Sequence, residues 1–183
     1  MSFANWIGIL TAVGLAVGGY AARYWHALAI RRREERLRLL SDQINNLYGP
    51  LYILTTVGKH LVDAQRRLSP FGFFKNESDK QPDELAKWEN WYRSVAAPNN
   101  ERLYAVVLGN AHLIREEVMP ECLLQLIAHI ASYKTLERCW ENGDYSATTA
   151  PIGFPVDLAE YASDTYQSLK GEQVKLIRRL MRS

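Results

Sequence analysis

No charged side chain occurs among the first 22 residues, although the chain of 183 carries 22 Lys and Arg and 20 Asp and Glu. Signals for chemistry are just as scarce. Neither G-x-G-x-x-G nor G-x-x-x-x-G-K-[ST] is present, so neither kind of glycine-rich phosphate cradle is encoded. G-x-S-x-G and H-E-x-x-H are missing too, which removes the nucleophile elbow and the two-histidine zinc helix. Two cysteines, Cys122 and Cys139, are too few for a disulfide framework, and in a reducing compartment they are free thiols. There is no convincing strand, repeat or low-complexity tract. An apolar share of 48% against 23% charged excludes an intrinsically disordered chain.

What is there begins at the N-terminus. Twenty-two helical residues extend about 33 Å, enough to cross a hydrocarbon core of about 30 Å. Six arginines, at 23, 31, 32, 33, 36 and 38, follow this run against Glu34 and Glu35. The positive-inside rule puts that flank in the cytoplasm and the N-terminus outside. Residues 1–22 are therefore expected to form a single transmembrane helix in the inner (plasma) membrane. Tyr20, Tyr24, Trp25 and Trp6 suit its interfaces. A buried helix of a soluble protein and a cleaved signal peptide are the competing readings; no Lys or Arg precedes the run, which argues against the second. Arg23, Arg31, Arg32 and Arg33 are expected to face anionic headgroups, with lipid as a partner. Residues 39–183 hold 16 basic and 18 acidic side chains, so no general nucleic-acid surface is indicated.

At 100° per residue the apolar run divides by size. Phe3, Trp6, Ile9, Leu10, Val13, Val17 and Tyr20 share one arc. Ala4, Gly8, Thr11, Ala12, Gly14, Ala16 and Gly18 lie on the other. Small residues let helix backbones approach closely in lipid, where packing drives association. That arc is wide enough for two neighbours, as a ring requires, so a homo-oligomer is expected.

Beyond the membrane, helical spacing continues through Leu28, Leu37, Leu40, Ile44, Leu47 and Leu51. The predicted organisation is a transmembrane helix over 1–22, a juxtamembrane helical extension over 23–48, and a cytoplasmic α-helical domain over 49–183. Pro50 is expected to end or kink the long helix, making Tyr48, Gly49 and Pro50 a candidate hinge. Further helices are predicted over 51–68, from Pro82 to near Pro98, from Asn99 to about Val118, from Pro120 to a glycine cap at Asn142-Gly143, and from Pro155 onward. Residues 69–82, with Phe71, Phe73 and Phe74, read as a loop. The fold class is all-α.

No residue set commits to catalysis. None of the four histidines has an arginine five positions before it, so the Arg-x4-His pair of helical ribonucleases is missing. Cys122, His129 and Cys139 match no usual zinc spacing; a core or boundary histidine is the expected role of His129. Glu116, Glu117, Asp63 and Asp144 read as surface. Lys175, Arg178, Arg179 and Arg182 suit a solvated helix C-terminus, with a strip that touches lipid or RNA as the alternative. No metal, cofactor or enzymatic activity is expected.

The span, the long helix and Leu47-Tyr-Gly-Pro-Leu-Tyr52 together resemble the small single-span membrane accessory proteins encoded beside RNA-targeting type VI CRISPR effectors, and related bacterial defence proteins. The likeness is one of architecture over the whole chain. It implies a divergent HEPN-like helical fold and a ring-shaped oligomer that forms a pore and depolarises an infected cell. The alternative is a membrane-anchored helical adaptor that binds a cytoplasmic protein partner without pore activity.

Overall fold

The protein, seen in a computed structural model, is described over residues 3–68 and 82–181, and the side chains of residues 3–13, 16, 68 and 82–84 lie outside that description. Every regular element among the described residues is helical: α1 (Phe3–Asp42), α2 (Gly49–Leu68), α3 (Pro82–Trp91), α4 (Ala97–Gly109), α5 (Glu121–Glu141) and α6 (Leu158–Leu180). The all-α class is as the sequence predicts. The expected loop over 69–82 falls on residues outside the description except for Pro82, which begins α3. The chain divides into two compact units, residues 1–41 with 171–183, and residues 42–170.

Two prolines set the local geometry of the larger unit. Proline has no amide hydrogen, and its ring crowds the carbonyl four residues earlier. A stop or kink is predicted at 48–50 and another near Pro98. The chain stays helical at both places and widens instead. Gln43–Tyr48 form a π-helical turn in which the Gly49 N–H donates to the Ile44 carbonyl, five residues back. Tyr92–Ala96 form a second, with the Ala97 N–H donating to the Tyr92 carbonyl. Each proline then falls in the first turn of the following α-helix, where its missing donor is tolerated.

Gly49 fits this turn for a steric reason. A Cβ there would sit 2.5 Å from the Ile44 carbonyl oxygen and 3.7 Å from Tyr166. Gly58 instead makes room for a neighbouring helix. A Cβ there would lie 2.9 Å from the Asn99 amide, which donates to the Leu54 carbonyl at 3.4 Å. That bond joins α2 to α4.

The helix predicted over 99–118 is shorter. It ends at Gly109, where Asn110 leaves helical dihedrals and its Nδ2 donates to the Val106 carbonyl at 3.0 Å. A single 3-10 turn, Ala111–Leu113, follows, and the backbone is extended at Ile114. The Gly109-Asn110 pair is a helix stop. The last helix begins at Leu158 rather than Pro155. The predicted cap of α5 does form. Gly143 has φ +76°, the Asp144 N–H reaches the Cys139 carbonyl at 2.9 Å, and the Gly143 N–H reaches Trp140 at 3.0 Å. This is a Schellman motif.

The core of residues 42–170 has two parts. Leu51, Leu103, Val107, Leu123, Leu126, Ile130, Leu158 and Ala162 bring together α2, α4, α5 and the start of α6. Trp88, Tyr92, Tyr133, Leu136 and Trp140 form an aromatic cluster between α5 and the α3 end of its chain. Each large apolar side chain fully buried here contributes about 1.5–3 kcal/mol.

Gly49→Ala tests the first π turn. Alanine gains about 0.5–1 kcal/mol of helix propensity, but the overlap with a backbone carbonyl costs about 1–3 kcal/mol. A net loss is expected, read as a lower urea midpoint by tryptophan fluorescence. Gly58→Ala displaces the Asn99 amide from the Leu54 carbonyl, a cost of about 0.5–1.5 kcal/mol that the gain in helix propensity of about 0.5–1 kcal/mol offsets, so a change smaller than that of Gly49→Ala is expected in the same measurement.

Candidate functional site: a buried tyrosine joint

The sequence singles out two regions, and they lie in different units. On α1, the backbone of Ala4, Gly8, Thr11, Ala12 and Ala16 is helical, and their side chains are outside the description. A Cβ at Gly14 or Gly18 would meet nothing within 4 Å. Leu15, Val17, Tyr20, Tyr24 and Trp25 are exposed, as are Arg23, Arg31, Arg32 and Arg33. Among the described residues no helix is long and apolar enough to cross a membrane. The predicted span falls largely on side chains outside that description.

The second region is the Leu47–Tyr52 motif. Tyr48 is fully buried, Gly49 is buried, and Pro50 is half-buried. The π turn directs Tyr48 at the connection between α4 and α5. Its hydroxyl accepts the Arg115 backbone N–H at 3.0 Å. The same hydroxyl lies 3.3 Å from Glu116 Oε2 and 3.2 Å from the Tyr161 hydroxyl on α6. Tyr161 donates to that carboxylate oxygen at 3.0 Å. From the same π turn, Gln43 donates to the Leu113 carbonyl at 3.0 Å. Tyr52 stacks on Tyr166 of α6, with ring centroids 5.3 Å apart.

Burial pushes both the Tyr48 and Tyr161 phenols above the usual tyrosine range. Both therefore stay protonated near neutrality and serve as donors. The arrangement is two protonated phenols and one backbone amide gathered around a single carboxylate, whose Oε2 is taken up by hydrogen bonds from both phenols. Chemically it is a latch: bending the chain at Tyr48 must break these bonds. Tyr161 and Glu116 were not legible as its members. Glu116 is exposed, as its acidic character suggests, yet it accepts from both phenols. Only the burial of a tyrosine hydroxyl, which demands a partner, hints that such a group exists.

His129 is buried on α5. Its Nδ1 lies 2.7 Å from the Ile152 carbonyl, which requires the Nδ1–H tautomer, and its ring packs edge-on to Tyr133 and Phe154. Burial lowers its pKa from 6.5, opposed by the Ile152 hydrogen bond. The connection from α5 to α6 is held further by Trp88 Nε1 to the Thr148 carbonyl at 3.1 Å and Trp140 Nε1 to Ala147 at 3.0 Å. Cys122 is buried and Cys139 half-buried, both free. Among the described residues no group of three or more His, Cys, Asp or Glu is placed to hold a metal ion. No protein-family model, curated protein or solved structure matches the chain.

Tyr48→Phe strips the Arg115 amide of its acceptor and should cost about 1–3 kcal/mol, whereas Tyr161→Phe leaves an exposed carboxylate to water and should cost about 0.5–1.5 kcal/mol. Chemical denaturation of both variants measures the difference. His129 generates a pH prediction. Its folded pKa lies below the unfolded value, so the unfolded chain binds the extra proton first and stability falls as pH drops below about 6.5. The thermal midpoint should decline from pH 7 to pH 5. In His129→Gln, which cannot titrate, the part of that decline owed to His129 should vanish.

Proposed function

We propose that the chain is a membrane-anchored helical protein that self-associates through its N-terminal helix, and that the assembly acts as a pore in antiviral defence. The anchor is residues 1–22, in the inner membrane with the N-terminus outside and the remainder cytoplasmic. One observation carries the reading: a charge-free run of 22 residues leads into arginines on a single helix, Phe3–Asp42, where the described side chains of Leu15, Val17, Tyr20, Tyr24 and Trp25 are exposed. Leu15 is 75% exposed and Trp25 64%. A soluble helix leaves few such residues in a row to water, whereas lipid or a neighbouring helix would cover them. The open space around Gly14 and Gly18 suits close approach of a second copy. Pore formation is the further step, supported by the small-residue arc and the CRISPR-accessory resemblance.

The second reading is a tethered adaptor. It is favoured by an exposed apolar group on the larger unit, where Leu124, Ile152, Phe154 and Val156 stand in solvent. Such a surface fits a cytoplasmic protein partner.

The oligomeric mass of the full chain in mild detergent separates the two. The pore reading expects a discrete multimer that Gly14→Leu and Gly18→Leu dissociate, with loss of membrane depolarisation in cells. A monomer that Gly18→Leu leaves unchanged, in mass and in activity, sinks it. An unrelated span that restores full activity would establish the tether.

A further inference from the structure

The net charge of +2 conceals a division that follows the two compact units. Residues 1–41 and 171–183 together hold ten basic side chains, six from α1 and four from the C-terminal segment, against Glu34, Glu35 and Glu172. That is +7, which leaves −5 for residues 42–170, with twelve basic and seventeen acidic side chains. The first unit is assembled from segments some 130 residues apart in sequence. Arg36 pairs with Glu172 at 2.9 Å, and Gln173 Nε2 donates to Ser41 Oγ at 3.0 Å. Glu172 and Gln173 of α6 thus touch the C-terminal part of α1, and the residues that follow them belong to the same compact unit as its arginine-rich stretch. Arg31, Arg32, Arg33, Lys175, Arg178 and Arg179 are all exposed.

We infer that the C-terminal end of α6 is a second membrane contact, in which Lys175, Arg178 and Arg179 join the α1 arginines to bind anionic phospholipid headgroups. This rests on the anchoring reading of residues 1–22. For the α1 arginines the reach is adequate. Arg31 lies nine residues past Ala22, about 14 Å along the helix. The headgroup layer takes up about 5–8 Å of that, and the remaining distance is close to one Debye length of about 8 Å at physiological salt. An arginine side chain spans most of it. Basic residues beside a membrane helix are each attracted to an anionic leaflet, and the fold supplies three more of them from the far end of the chain. Neither sequence segment alone contains this surface.

The test uses the full chain in lipid nanodiscs. An environment-sensitive dye is placed at Met181→Cys, an exposed position at the end of α6, in a Cys139→Ser background. Phosphatidylcholine discs are compared with discs containing phosphatidylglycerol. The dye should move into the headgroup layer in the anionic discs, with quenching by lipid-borne nitroxide at least about fivefold greater, the bias expected from a single basic residue. High salt should reverse it. Lys175→Gln/Arg178→Gln/Arg179→Gln should abolish it, while the matched change Lys59→Gln/Arg102→Gln/Arg138→Gln on the other unit should not. Equal quenching in both discs, or a response that survives the triple substitution, overturns the inference. So does a dye response to an oligoribonucleotide with none to lipid, which would make the partner nucleic acid. Retention of the chain in phosphatidylcholine discs at high salt tests the anchor by itself. If the anchor fails, sedimentation with anionic vesicles still decides the headgroup contact, through its loss in the triple variant.

Discussion

A proline inside a helical run must be given somewhere to put its ring and must not be asked for a hydrogen bond. Residues 42–170 meet that constraint twice in the same way. One extra residue per turn, over Gln43–Tyr48 and again over Tyr92–Ala96, lets the preceding amide bond five residues back and delivers the proline to the start of a fresh α-helix. Much of the unit's packing depends on these two turns. The first carries Gln43 and Tyr48 to the α4–α5 connection. The second carries Tyr92 to Tyr133 and Trp140, with centroids 4.7 and 5.7 Å away. A break at either proline would leave Tyr48 or Tyr92 without the partners that justify its burial.

The Tyr48 joint and the aromatic cluster hold non-regular chain in different ways. At the joint, polar groups of a π turn and of α6 hold the backbone at Leu113 and Arg115 and the Glu116 carboxylate. In the cluster, indole N–H groups of Trp88 and Trp140 fix Ala147 and Thr148 by their carbonyls, while the rings supply buried area. Each connection is held from two helices at once. Burial keeps the phenols protonated and His129 neutral near pH 7, so the charge at the joint is that of the Glu116 carboxylate.

Much of this was legible in the residues. The α2 helix, the glycine-capped end of α5 at Asn142-Gly143 and the stripe of Leu123, Leu126, Ile127, Ile130 and Tyr133 follow from spacing and caps, with Ile127 half-buried against the core and the other four buried. The prolines misled because their usual effect is a break; a π turn has no sequence signature that separates it from one. The end of α4 at Gly109-Asn110 was marked, but helix-forming residues on both sides obscured it. Tyr161 and Glu116 were invisible as partners of Tyr48, being more than 60 residues from it. The same holds for the basic unit: Lys175, Arg178 and Arg179 look like an ordinary helix end until α6 is laid beside α1.

The division of charge also bears on crowding among copies. An arrangement that places copies side by side in the same orientation brings acidic units of −5 next to one another. Their mutual repulsion grows with each added neighbour and weakens as salt shortens the screening length. The ionic strength around the protein therefore sets an electrostatic ceiling on how many copies can stand together, separate from whatever packing holds their helices.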